Sequence, residues 1–120
     1  MRLNPDCIRD VILYVEENSS TQRWFTCDTV REDLSQYDKE VLDYHVFYLA
    51  DAHYIKELVK YGQDSYRFTD LTPNGHQLAQ DIRNNTIWEK TKSKAQEIGS
   101  FSIPVLQQIA STILTAMITQ

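Results

Sequence analysis

The stretch YIKELVKYGQDSYRFTDL, residues 54–71, decides the fold. Tyr54–Tyr61 carries Ile55, Val59 and two tyrosines with a mixed outer face, which predicts a strand. Gly62-Gln63-Asp64-Ser65 supplies turn chemistry, and Tyr66–Leu71 reads as the returning strand. Two strands make no stable sheet alone, so this hairpin needs helices to pack against.

Helices flank it on both sides. Asn4-Pro5-Asp6 is a cap followed by a proline and an acidic first turn, and Ile8, Val11, Ile12 and Val15 follow at helical spacing. A helix over 5–18 is predicted. Trp24-Phe25 reads as a short β-bridge, and Asp28 as the cap of a short helix with Val30 and Leu34. Asp38 opens a longer helix, about Asp38–Ala52, with Leu42, Val46, Leu49 and His53 along one face. After the hairpin, Thr72-Pro73 opens another helix, in which Gly75 marks a close approach. Thr86-Ile87-Trp88-Glu89 is a capping box for a helix ending at Gly99, and Ser102 caps a last helix with Pro104 in its first turn. All three prolines thus sit at helix starts. The order helix, bridge, helix, helix, strand, turn, strand, helix is that of a winged helix-turn-helix. The expected fold class is mainly α, within α+β. It has a two-stranded wing, a winged-helix portion over residues 1–84, and a helical extension over 85–120 in the same domain.

Composition narrows the function classes. The 120 residues are 42% hydrophobic and 24% charged, with 3 Gly and 3 Pro, so disorder and low complexity are excluded. The net charge is −5, which argues against a chain held mainly by phosphate contacts. Residues 1–53 carry 11 acidic and 5 basic side chains, while 98–120 carry no charge at all. Cys7 and Cys27 form no CxxC, and MRLNPDC lacks the apolar run of a signal peptide, so two free thiols in a cytoplasmic chain are expected.

Several stretches resemble one family. LNPDCIRDVILYVEE, YHVFYLADAHYI, DLTPNGHQLAQDIRN, WEKTK and IGSFSIPVL are together similar to the bacterial and prophage family called Domain of Unknown Function 2513. The resemblance implies a small cytoplasmic winged-helix protein of bacterial or prophage origin. It implies no activity, cofactor or catalytic residue.

Candidate chemistry is sparse. His45 and His53 lie two helical turns apart and share no metal-ligand spacing with Cys27 or His76, so core imidazoles are the better reading. No phosphate loop, GxGxxG, HExxH or GxSxG occurs. The expected protein is therefore not an enzyme and needs no cofactor, metal or small-molecule ligand.

Nucleic acid is the first expected partner, because the second helix of a helix-turn-helix enters the major groove. Here that helix carries Asp38, Glu40, Asp43 and Asp51 against Lys39. The hairpin offers Lys56 and Lys60 on one strand face and Arg67 on its neighbour as phosphate contacts. The alternative is a protein-interaction or adaptor module using Glu40, Tyr44, Phe47 and Asp51, since aromatics are enriched at such contacts. The uncharged tail suggests a homodimer through Ile103, Leu106, Ala110, Ile113, Leu114 and Met117. Packing on the chain's own core ranks second. A membrane anchor ranks last, because Gln107-Gln108 and the Ser/Thr positions interrupt the apolar run.

Overall fold

The structure is a computed structural model, described here for residues 1–119. Helix α1 spans Pro5–Asn18, with the Asn4 side chain accepting from the Asp6 and Cys7 amides. Its apolar stripe, Ile8, Val11, Ile12 and Val15, is fully buried. Strand β1 (Phe25–Thr26) leads directly into α2 (Cys27–Asp33). Thr26 caps α2 by accepting from the Thr29 amide, so the cap lies two residues before the expected Asp28. Helix α3 covers Lys39–Asp51. It ends because His53 turns left-handed, at φ 67°, leaving that side chain exposed beyond the helix.

The expected hairpin is present. Its strands are each interrupted, giving β2 (Ile55–Lys56), β3 (Val59–Lys60), β4 (Tyr66–Phe68) and β5 (Asp70–Leu71). One register runs throughout: Ile55 opposite Leu71, Lys56 opposite Asp70, Val59 opposite Arg67 and Lys60 opposite Tyr66. The interruption falls at Glu57, which has a positive φ of 61°. There the in–out alternation shifts by one residue: Tyr66 and Phe68 face the core on one side, Ile55 and Leu71 on the other. The two-stranded wing needs correction, because β1 pairs with β4 through Phe25–Phe68 and Thr26–Arg67. The sheet order is therefore β1-β4-β3. Phe25 stacks on Phe68 at 5.1 Å between ring centroids, which joins the sheet to the core.

Helix α4 (Pro73–Ile82) is capped by Thr72, whose hydroxyl oxygen accepts from the Gly75 amide. Gly75 bears out the close approach: a Cβ there would lie 2.2 Å from the Tyr54 carbonyl oxygen. Helix α5 covers Asn85–Ile98 and is capped by Asn84, two residues before the expected Thr86. Gly99 ends it left-handed, at φ 87°. Helix α6 covers Ile103–Ile118, with Ser102 accepting from the Val105 amide. The chain is thus α+β, rich in helix with a small antiparallel sheet.

Side-chain bonds lock the layers. Arg9 donates from Nε to the Ile82 carbonyl at 2.9 Å and from Nη2 to the Arg83 carbonyl at 2.7 Å, covering the end of α4. Trp88 Nε1 donates to Asp6 at 2.9 Å, tying α5 to α1. The first half of α6 packs on α4 and α5, so Ile103, Leu106 and Ala110 are buried within the chain itself. These three are therefore core residues and line no seam between subunits. Beyond them the helix emerges: Ile113 and Leu114 are half-buried, Met117 is 56% exposed and Ile118 82%. No helix among the described residues is long and apolar enough to cross a membrane.

Candidate functional site

The surface of α3 is less available than its sequence suggests. Asp43 is buried, and Arg31 on α2 grips its carboxylate with two bonds, Nε–Oδ1 at 3.1 Å and Nη2–Oδ2 at 2.7 Å. Asp43 is therefore not an outward charge. The same Nη2 donates to the Asp64 carbonyl at 2.6 Å, and Lys39 meets the Asp64 carboxylate at 3.1 Å. The hairpin tip is thereby tied back to the start of α3. Phe47 also leaves the proposed contact stripe, since it is half-buried edge-on against Tyr66 at 5.2 Å. Glu40, Tyr44 and Asp51 remain exposed. His45 is buried and accounted for: its Nε2 accepts from the Asn4 amide at 2.8 Å, so the ring proton sits on Nδ1, 2.8 Å from the Val41 carbonyl. Cys7 is fully buried, and burial and the nearby Asp10 push its thiol up to about 12.

The hairpin cations do not form one patch. Lys60 shares the inward side with Tyr66, and its ammonium lies over the Phe47 ring at 4.3 Å. Lys56 stands beyond the Glu57 shift, opposite Asp70 and near Ser19–Thr21. The two lysines therefore do not share a strand face, because the alternation breaks between them. Arg67 points away from the core and lies over the Trp24 ring at 4.4 Å. In register, Thr26, Arg67 and Val59 make one row across the three strands. Trp24 is 41% exposed, Val59 42% and Tyr61 57%, and together they surround a concavity of about 340 Å³.

The charge pattern around the sheet is distinctive. Of the 12 lysines and arginines, Arg31, Lys39, Arg83, Lys92 and Lys94 sit in ion pairs, and Arg9 is spent on carbonyl groups. Arg23 likewise donates to the Asn18 carbonyl at 3.3 Å, so the remaining cations are Arg2, Lys56, Lys60, Arg67 and Lys90. Three of those, Lys56, Lys60 and Arg67, belong to the sheet.

Sequence reasoning missed Trp24 and Tyr61 as members of this face. The out–in order Trp24, Phe25, Thr26 against Tyr66, Arg67, Phe68 was the available signal. It also missed Asp81, a buried carboxylate that accepts from Gln77 at 3.2 Å and from Gln107 at 3.1 Å. This bridge stitches α4 to α6 beside an open cleft of about 510 Å³ lined by Tyr54, Gln108, Ser111 and Thr112. Among the described residues, no three His, Cys, Asp or Glu side chains gather into a metal site.

Fold and surface together define a small α+β protein whose antiparallel sheet exposes an aromatic and basic face. The chain belongs to the family described as "Hypothetical protein (DUF2513)", which matches it over residues 2–102. That match stops at Ser102, the cap of α6. An "Uncharacterized protein" of Haemophilus influenzae is 30% identical over 123 residues, covering 98% of this chain and 99% of that protein. No solved structure matches the chain.

Proposed function

We propose that this chain is a non-enzymatic winged-helix regulatory protein that holds nucleic acid through its sheet, while α3 contributes little. The element order and the single register of the hairpin support the winged-helix reading. The observation that carries the function is the segregation of unpaired cations onto the sheet. Elsewhere, Arg31 of α2, Lys39 of α3, and Lys92 and Lys94 of α5 are neutralised internally, Arg2 and Lys90 stand apart from one another, and α3 presents Glu40 and Asp51 outward. Its bacterial relative and two unpaired cysteines are in keeping with a bacterial, cytoplasmic origin. The uncovered end of α6, Ile113 to Ile118, is apolar and uncharged, and we assign it to a second copy of the chain.

The test is fluorescence anisotropy of a labelled duplex at several salt concentrations. Each phosphate contact adds about 0.9 to the salt slope, so two or three sheet cations give roughly −2 to −3. Replacing Lys56, Lys60 and Arg67 together with alanine should remove binding, while Tyr44→Ala should leave it. Absence of duplex binding at low salt would overturn the proposal. It would favour the second reading, a protein-interaction module, for which exposed Tyr44 between Glu40 and Asp51 is the specific support.

A further inference from the structure

The row Thr26, Arg67, Val59 crosses three strands on the side opposite the buried Phe25, Tyr66 and Phe68. Trp24 and Tyr61, at the two flanks, complete a concavity of about 340 Å³. Pockets of roughly this size and upward hold small ligands. Two chemistries meet in it: exposed aromatic faces, and a guanidinium that no carboxylate holds. The Arg67 guanidinium rests 4.4 Å from the Trp24 centroid, so its position is fixed by the ring while its N–H groups stay free to donate. Asp28, 4.0 Å from Arg31, is an acidic neighbour of Tyr61.

We infer that this concavity takes one unpaired nucleobase of a single-stranded nucleic acid, with the adjoining phosphate on Arg67. The inference rests on the nucleic-acid reading above and deepens it. In a duplex the π-faces of the bases are stacked against one another, and only unpaired bases offer them to a side chain. A planar ring in the concavity lies against Tyr61 and against the part of Trp24 that Arg67 leaves uncovered. The phosphate then falls on the Arg67 side, away from Asp28.

The chain has two tryptophans, which makes the test direct. Trp24 is exposed, whereas Trp88 is buried and bonded to Asp6, so it reports only on folding. Intrinsic fluorescence of the full chain is titrated with oligothymidylate, with an abasic strand of equal length, and with duplex, while anisotropy of the same strands, end-labelled, reads their affinity. Oligothymidylate should quench Trp24 saturably, while the abasic strand and the duplex bind through phosphates without quenching. Trp24→Ala should weaken oligothymidylate binding about tenfold in anisotropy, the usual effect of one lost stacking partner. Asp28→Asn should tighten binding, because it removes a negative charge near Tyr61. Equal affinity for oligothymidylate and the abasic strand, with no quench, would overturn the base pocket and leave the phosphate reading standing. Absence of binding by all three strands in anisotropy would overturn both and leave the face to a protein partner.

Discussion

Removing the Asp43 carboxylate should destabilise the fold, because the Arg31–Asp43 pair is the main link between α2, α3 and the hairpin tip. The two side chains are 19% and 13% exposed, and two bonds join them at 3.1 and 2.7 Å. Exposed pairs contribute about 0–1 kcal/mol, and breaking a fully buried pair costs about 3–5 kcal/mol. This pair lies between those limits, so Asp43→Asn should cost about 2 kcal/mol. With an unfolding entropy of about 2.1 cal/mol/K per residue, that lowers Tm by roughly 8 °C. Asp43→Lys should be worse, since it sets a second cation against Arg31. Arg31→Met keeps the stem but loses both this pair and the bond to the Asp64 carbonyl. Urea unfolding of Asp43→Asn, Arg31→Met and the double variant isolates the shared part. A coupling energy below about 0.5 kcal/mol would refute the idea that the pair acts as a fastener.

Gly75→Ala should destabilise by about 2 kcal/mol in urea unfolding. The methyl would meet the Tyr54 carbonyl at 2.2 Å, and overpacking of that kind outweighs alanine's helix-propensity gain of about 1 kcal/mol. Burial pushes the Asp6 carboxyl up, but the bonds from Trp88 and Lys92 and the charges of Lys92 and Arg9 outweigh it, so the net shift is downward. A lowered folded-state value gives stability that is present above the unfolded pKa and is lost as pH falls through the folded one. Asp6→Asn should therefore flatten the acid limb of stability against pH, and an unchanged limb would contradict this. Met117→Asp places a charge at an exposed position of the single chain, so it should leave the far-UV helical signal unchanged and turn a sedimenting dimer into a monomer. Wild-type protein sedimenting as a monomer at micromolar concentration would remove the dimer.

The elements written by local chemistry were legible. Asn4-Pro5, Thr72-Pro73 and Ser102 start helices where the cap bonds form, Gly75 sits against a carbonyl, and Gly99 ends α5. What escaped depends on contacts distant in the chain. Phe25–Thr26 becomes a strand only because β4 is there to pair with it, and that pairing makes Thr26, not Asp28, the cap of α2. Asp43 and Arg31 are 12 residues apart on different helices, so no periodicity reveals that one cancels the other. Lys56 and Lys60 obey strand alternation on paper, but the positive φ of Glu57 separates their faces. The apolar stripe of α6 is continuous in sequence. Whether each turn is covered depends on where α4 and α5 end, so its first half joins the core and its last turns do not.

Amide chemical-shift mapping of the isotope-labelled chain, with unlabelled duplex added at low salt, tests the nucleic-acid reading most directly. Shifts confined to Arg23–Thr26 and Lys56–Phe68, with residues 39–51 unmoved, are the expected result. Shifts centred on α3, at Glu40, Tyr44 and Asp51, would contradict the assignment of contact to the sheet.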